Sequence, residues 1–254
     1  MKKTISQLAK KVGLLLLKEF QQAGRVTYRD KYRHEIITRF DLLSERIILK
    51  ELKRKYPKYA ILSEESGRGK IKSDYVWVVD PIDGTTNFAM KNPLFSISIG
   101  LVYRGEPIFG VVYAPITDEM FVAEKDKGAT LNNRKVRVNK NKQMSKAFLT
   151  FCHGSNAKAI IRAIQLYGTM KLKGKDFRQL GSAALECSFV ACGRTDAIMI
   201  PGVHPWDVAA GVVIVREAGG RVTDFKGREW NIRSKDILAT NGYIHQQLLK
   251  HIDV

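Results

Sequence analysis

The stretch Tyr75-Val76-Trp77-Val78-Val79-Asp80-Pro81-Ile82-Asp83-Gly84-Thr85-Thr86-Asn87-Phe88 limits what this chain can fold into more than any other. Tyr75 to Val79 are β-branched or aromatic and run up to a proline, which predicts a short buried strand. Asp80 and Asp83 then follow three residues apart across a tight turn. Gly84, Thr85 and Thr86 come next, leaving backbone N–H groups and hydroxyls free to face an anion. Paired carboxylates attract hard cations such as Mg²⁺, which share their oxygen ligands with substrate phosphates. The stretch therefore predicts a centre for phosphoryl chemistry, with Asp83 a ligand that has little structural duty beyond its turn. Taken alone, Asp80-Pro81 and Asp83-Gly84 are also ordinary turn formers.

The full string Asp-Pro-Ile-Asp-Gly-Thr-Thr-Asn-Phe resembles the signature of the inositol monophosphatase family, which includes archaeal-type fructose-bisphosphatases and related Mg²⁺-dependent, Li⁺-sensitive phosphatases. Other parts of the chain match the family in order. Thr38 and Asp41 form a Thr-x-x-Asp ahead of a predicted helix, and Glu64-Glu65 lies upstream of the central motif. Trp206-Asp207-Val208-Ala209-Ala210-Gly211 opens a helix near the C-terminus. Gly181-Ser182-Ala183-Ala184 and Glu217-Ala218-Gly219-Gly220 are further landmarks. Without the resemblance each piece has a plainer reading. Glu64-Glu65 would be a solvated loop, Asp207 an acid favoured by a helix dipole, and Asp41 the N-cap of its helix.

The resemblance implies roles residue by residue. Glu64, Asp80 and the Ile82 carbonyl would ligate a first metal, and Asp80, Asp83 and Asp207 a second. Glu64 could support a third, and Glu65 would stand behind these ligands. Two or three Mg²⁺ ions, with Mn²⁺ as substitute, would thus serve each site. Gly84, Thr85 and Thr86 would cradle the phosphate, while Thr85 with Asp41 would orient and deprotonate the attacking water. Glu64 would share in this catalysis. Gly181, Ser182, Ala183 and Asp207 would border the hydroxylated part of the substrate, a region also reached by Asp83. Inositol-specific relatives carry a glutamate seven residues before the Trp-Asp aspartate; here Ile200 stands there and cannot accept a hydrogen bond. Arg178, or cations of the 25–35 stretch, would then favour a second phosphate on the substrate. None of His34, His153, His204, His245 and His251 has ligand spacing, and His204 reads as packing.

Periodicity fills in the rest. Ile5, Leu8, Val12, Leu15 and Leu16 predict an amphipathic helix to about Phe20, closed by Gly24. Residues 25–35 are polar and basic and predict a mobile loop. A second helix ends at Pro57. Alternation through Phe95 to Tyr103, then Ile108 to Tyr113 and Phe121 to Ala123, predicts a mostly antiparallel meander, with a turn at Asn132-Asn133 before Val136 and Val138. From Phe148 on, strands and helices alternate, with Pro205 at the start of a long helix and Gly219-Gly220 at its end. This pattern agrees with the α/β fold the resemblance implies, a layered α-β-α-β-α sandwich. A single phosphatase domain over 1–254 is expected, with closely packed halves of about 1–142 and 143–254 joined near Lys140 to Lys146.

Composition bounds the remaining classes. Three cysteines are too few and too scattered for a disulfide framework or zinc site, which points to a reducing cytoplasm. No apolar run approaches the ~18 residues of a membrane span. The net charge is +18, of which residues 1–60 carry 16 Lys/Arg against six Asp/Glu. Such a surface steers anionic substrates, binds nucleic acid, or is simply a solvated cationic face. The leading expectation is an enzyme, a phosphoric monoester hydrolase acting on inositol-1-phosphate or fructose-1,6-bisphosphate, and a homodimer. The alternatives are a nucleotide 3′- or 2′-phosphatase, or a nucleic-acid-binding regulatory protein on a phosphatase scaffold.

Overall fold

Helix α1 (Lys2–Phe20) buries Ile5, Leu8, Val12 and Leu16 along one face, as their spacing requires. It ends at Gln21, so Gly24 lies beyond the stop rather than forming it. The computed structural model describes residues 1–32 and 35–252. Strands β1 (Tyr28–Tyr32) and β2 (Glu35–Thr38) pair antiparallel, with Tyr28 opposite Thr38. The expectation of an unstructured loop here is thus corrected. A two-stranded ribbon forms through backbone bonds and needs no apolar periodicity, so the hydrophobic pattern was silent. Arg33 and His34, part of that expected loop, lie outside the described residues.

Helix α2 (Arg39–Lys55) ends two residues before Pro57. The next elements are β3 (Ala60–Ser63), β4 (Gly67–Arg68), β5 (Tyr75–Asp83), the short helix α3 (Thr85–Ala89), β6 (Ser96–Tyr103) and β7 (Glu106–Ala114). They are followed by β8 (Glu119–Glu124), β9 (Ala129–Leu131) and β10 (Arg134–Lys135). The eight strands β3 to β10 form one sheet in the order β10-β9-β8-β7-β6-β5-β3-β4. Only β3 and β5 pair parallel; the other neighbours are antiparallel. The Asn132-Asn133 turn has both residues at positive φ, which suits the twist of a tight hairpin. Its second strand is Arg134–Lys135, however, not the Val136 and Val138 that the apolar pattern singled out.

The second sheet draws on β11 (Phe148–Phe151), β12 (Asp176–Arg178), β13 (Ala197–Pro201), β14 (Arg221–Thr223) and β15 (Asp236–Thr240), in the order β12-β11-β13-β15-β14. Helices α4 (Ala157–Lys171), α5 (Ala183–Ala191), α6 (Pro205–Glu217) and α7 (His245–Ile252) complete the chain. Side-chain alternation assigns the layers. On β7, Val111 packs with α1 and α2 while Val112 packs with α5 and α6. On β13, Ile198 and Ile200 face α5 and α6, whereas Met199 faces the cluster of α4 and α7. The result is the expected five-layer order, with α1 and α2 outermost, then a sheet, α5 and α6, the other sheet, and α4 and α7.

Helix α6 is buried continuously from Val208 to Val215, as a helix between two sheets must be. Two glycines let it approach the first sheet. A Cβ on Gly110 would fall 2.4 Å from the Ala210 carbonyl oxygen, and one on Gly100 would fall 3.0 Å from the Ala210 nitrogen. This seating brings the first turn of α6 towards the end of β5.

Candidate active site

Strand β5 does not turn after Val79. It continues to Asp83 through a bulge, with pairing to β6 interrupted between Asp80–Ser98 and Asp83–Ser96. This corrects the expected tight turn. Pro81 sits in the bulge, where a missing N–H costs no ladder bond. Asp80 Oδ1 accepts a 3.0 Å bond from the Ile82 N–H, which fixes the looped backbone. Gly84 follows at φ 94°, and a Cβ there would meet the Gly181 and Leu94 carbonyl oxygens at 3.0 Å. Only glycine fits without strain.

Asp41 is not an N-cap. Thr38 caps α2, and Asp41 lies three residues later, its Oδ2 accepting from the Thr38 N–H at 2.7 Å and the Thr38 hydroxyl at 2.6 Å. This reciprocal box leaves Oδ1 for the Thr85 hydroxyl, at 2.8 Å. The Ile82 carbonyl lies 3.0 Å from the same Thr85 oxygen. Asp207 repeats the arrangement at the start of α6, accepting from the His204 N–H at 2.8 Å. Both helices thus present an acid from the first turn.

Glu64 and Glu65 follow β3 in a turn that Glu45 fastens from within. The buried Glu45 accepts from the Ser63 hydroxyl and from the Glu65 and Ser66 N–H groups at 3.2 and 3.1 Å. Lys31, on β1, reaches over the pair, its Nζ 3.1 Å from Glu64 and 3.0 Å from Glu65. Burial works against the Lys31 charge, but Glu64 and Glu65 outweigh it and hold the ammonium protonated.

Asp83 is the most committed of the carboxylates. The Ser96 hydroxyl donates to it at 3.0 Å, the Ser182 hydroxyl also donates, and the Ala183 and Ala184 N–H groups donate at 2.9 and 3.0 Å. The loop before α5 is held from two more sides. Asn87 donates to the Leu180 carbonyl at 2.8 Å, and the buried Glu186 accepts from the Gly181 N–H at 2.9 Å.

These elements enclose a cavity of about 570 Å³. Glu64, Asp80, Ile82, Asp83 and Asp207 line it, together with Gly84, Thr85 and Thr86. Gly181, Ala183 and Ile200 form part of the opposite wall. Asp41, Glu65 and Ser182 touch the wall from behind. Arg178 is not brought in: it pairs with Asp176 at 2.7 Å and lies over the Phe148 ring. Gln179, the next residue, lines the cavity instead.

Burial, then Glu64, Asp83 and Asp207, push the Asp80 carboxyl well up. Burial likewise raises Asp207, and raises Glu64 to about 7 against the pull of Lys31. Buried acids that raise one another are unstable as anions unless a cation joins them. Their donors are all oxygen, which suits Mg²⁺ or Mn²⁺ and not a thiophilic metal. Among the described residues no three acidic, imidazole or thiol side chains are already drawn to ligating geometry. The donor set fits a hard cation, with Lys31 as the present counter-charge.

A family model for the inositol monophosphatases matches residues 1–253. The chain belongs to the inositol monophosphatase family. A Thermotoga maritima relative named fructose-1,6-bisphosphatase/inositol-1-monophosphatase is 38% identical over 247 residues, 97% of this chain and 93% of that one. The Escherichia coli Nus factor SuhB is 35% identical over 246 residues, 96% and 92% of the two chains. Among solved structures, an IMPase from Thermotoga maritima superposes with TM-score 0.90 at 34% identity, covering 100% of this chain and 97% of that one.

Membership in the inositol monophosphatase family carries a phosphatase scaffold, and several cavity residues lay outside the sequence reading. Gly154, Ser155 and Asn156 line it from the loop after β11, beside His153, which the sequence reading had set aside for lack of ligand spacing. The available signal was position, since loops at the carboxyl ends of parallel strands are where ligands bind. Glu45 and Glu186 had no comparable signal, while Lys31, one of the cations expected from the 25–35 stretch, does line the cavity. His204 stacks on Trp206, with ring centroids 4.8 Å apart and planes 4° apart, while lining the cavity.

Proposed function

We propose that this protein is a Mg²⁺-dependent phosphomonoesterase that hydrolyses a small sugar or polyol phosphate, with inositol-1-phosphate and fructose-1,6-bisphosphate as the leading substrates. The observation that carries the reading is the convergence of Glu64, Asp80, Asp83 and Asp207 on the cavity that also presents the Thr85–Asp41 pair. Glu64, Asp80, the Ile82 carbonyl, Asp83 and Asp207 would hold Mg²⁺, or Mn²⁺ in its place. When bound, such ions acidify water and neutralise phosphoryl charge.

The chain's own groups do the rest. The Thr85 hydroxyl orients a water for in-line attack, passing its own proton to Asp41 Oδ1 and taking one from the water. Asp41 is suited to receive the Thr85 proton because burial raises its pKa above the usual carboxylate value. As the water attacks, the P–O bond to the substrate alcohol breaks and the departing oxygen takes a proton from solvent. Backbone N–H groups and hydroxyls of residues 84–86 face the phosphate oxygens. The 181–183 loop faces the hydroxylated part of the substrate. The homodimer and Li⁺ sensitivity belong to the same reading.

The test is phosphate release from a panel of phosphate esters with and without Mg²⁺, for the wild type and Glu64→Gln. Release that depends on Mg²⁺ and on Glu64 is the expected result; no release from any ester would refute the reading. A regulatory, nucleic-acid-binding role is the second reading, favoured by the +18 charge and by relatives named Nus factor SuhB. Absence of hydrolysis together with tight nucleic-acid binding would favour it.

A further inference from the structure

The phosphatase reading leaves the far end of α6 and the most basic stretch of the chain unused. Residues 125–146 hold eight Lys/Arg against one acid, Asp126. Four of these cations, Lys127, Lys135, Arg137 and Lys140, line a second cavity of about 790 Å³, with Gly242 and Tyr243 on its other side. Asp207 and Glu217 stand ten residues apart on α6, which sets this cavity roughly 15 Å from Asp207.

A run of charges is ordinarily a solvated face. This one is held in place. Residues 136–143 form neither helix nor strand, yet their backbone is anchored. The Val138 N–H donates to the Ala218 carbonyl at 3.1 Å. The buried Asn241 amide donates to Asn139 Oδ1 and to the Asn141 carbonyl, both at 2.9 Å. The Asn141 amide donates to the buried Asp196 at 2.9 Å. Glu217, the acid of the cavity wall, spends both oxygens on the Asp126 and Gly128 N–H groups, at 2.9 and 2.7 Å.

Lys135, Arg137 and Lys140 make no ion pair among the described residues, so three exposed positive charges line one cavity without a counter-ion from the protein. Such an arrangement costs repulsion that an anion relieves. Tyr243 is 45% exposed, and Lys142 Nζ stands 5.6 Å from its ring centroid.

We propose that this cavity is a second ligand site, for a nucleoside polyphosphate, with the phosphates on Lys135, Arg137 and Lys140 and the base on the ring of Tyr243. The volume lies within the range of small-ligand pockets. Several cations on an anchored stretch of backbone suit a chain of phosphates better than one phosphate group, and an exposed ring offers a stacking face to a base. The concave shape favours a compact ligand over an extended strand.

The test is calorimetric titration of the full chain with ATP, tripolyphosphate and adenosine, in EDTA so that no metal draws phosphate into the catalytic cavity. ATP binds, and Lys135→Glu/Arg137→Glu weakens it at least about tenfold while phosphate release stays unchanged. The milder Lys140→Gln weakens it less. Tyr243→Ala weakens ATP but not tripolyphosphate. No ATP binding up to about 1 mM, or equal binding by the double variant, overturns the site. Tripolyphosphate binding as tightly as ATP, with Tyr243→Ala inert, overturns the nucleoside assignment. A single-stranded oligonucleotide bound tenfold more tightly than ATP through the same cations overturns the compact ligand in favour of nucleic acid.

Discussion

The backbone N–H of Ala183 donates a 2.9 Å hydrogen bond to Asp83 Oδ1, across 100 residues of sequence. The Ala184 N–H reaches the other oxygen, so this one carboxylate stoppers the first turn of α5 from the end of β5. The bulge that carries the acids is thereby fastened to the loop that faces the substrate. Asp83 has a structural duty, contrary to the expectation from its turn-like sequence.

Asp83→Asn should therefore lose both activity and stability. The amide keeps one accepting oxygen, but its nitrogen faces the donors that the replaced oxygen satisfied, and leaving buried donors unpaired costs about 1–3 kcal/mol each. Urea unfolding should show a loss in that range, alongside a fall in kcat of more than tenfold. A variant as stable as the wild type would show that the capping bonds carry little.

Thr85 has a narrower role. Thr85→Ala should lower kcat about a hundredfold or more, the usual contribution of a positioned proton acceptor, with a stability loss of about 1–3 kcal/mol from the buried Asp41 Oδ1 left without its donor. Thr85→Ser keeps the hydroxyl within reach of Asp41 and should restore most of the rate. Equal rates in the alanine and serine variants would exclude proton transfer along this pair.

Ile200 lines the cavity but is only 2% exposed, packed among the side chains of α5 and α6. It offers a substrate hydroxyl nothing. A missing neutral hydrogen bond costs about 1 kcal/mol, so kcat/KM for inositol-1-phosphate and fructose-1,6-bisphosphate should lie within about tenfold of each other. Ile200→Glu should shift the ratio towards inositol phosphate through repulsion of the second phosphate. A wild type a hundredfold selective for inositol phosphate would mean that another residue reads the hydroxyls.

His245, fully buried between the Thr223 and Thr240 hydroxyls, has its pKa lowered from 6.5 to about 4 by burial and then by Arg221. The unfolded chain takes up a proton near pH 6.5 that the folded chain refuses. The stability from this group is complete above pH 6.5 and is lost as pH falls through 4, by up to about 3 kcal/mol. Unfolding curves of the wild type and His245→Gln at pH 7.5 and pH 4 should show their difference shrinking at the lower pH. A constant difference would refute the assignment.

The sequence by itself determined the layered fold and most of the acids. Apolar periodicity placed α1, α2 and the long strands, whereas Asp80, Asp83, Glu64 and Asp207 each had a plainer reading alone and were singled out by the family motifs they stand in. Tyr28–Tyr32 was misread because a polar hairpin has no hydrophobic period, and Pro81 because a proline marks a bulge as readily as a stop. Tertiary structure alone decided that Asp41 meets Thr85 with the oxygen its capping box leaves over, that Arg178 turns away to Asp176, and that Glu45 and Glu186 brace the two loops from beneath. Each of these depends on which buried donor finds which acceptor across elements distant in sequence. A local pattern records only what a residue offers, and the packing of α2, β5, α5 and α6 settles what it meets.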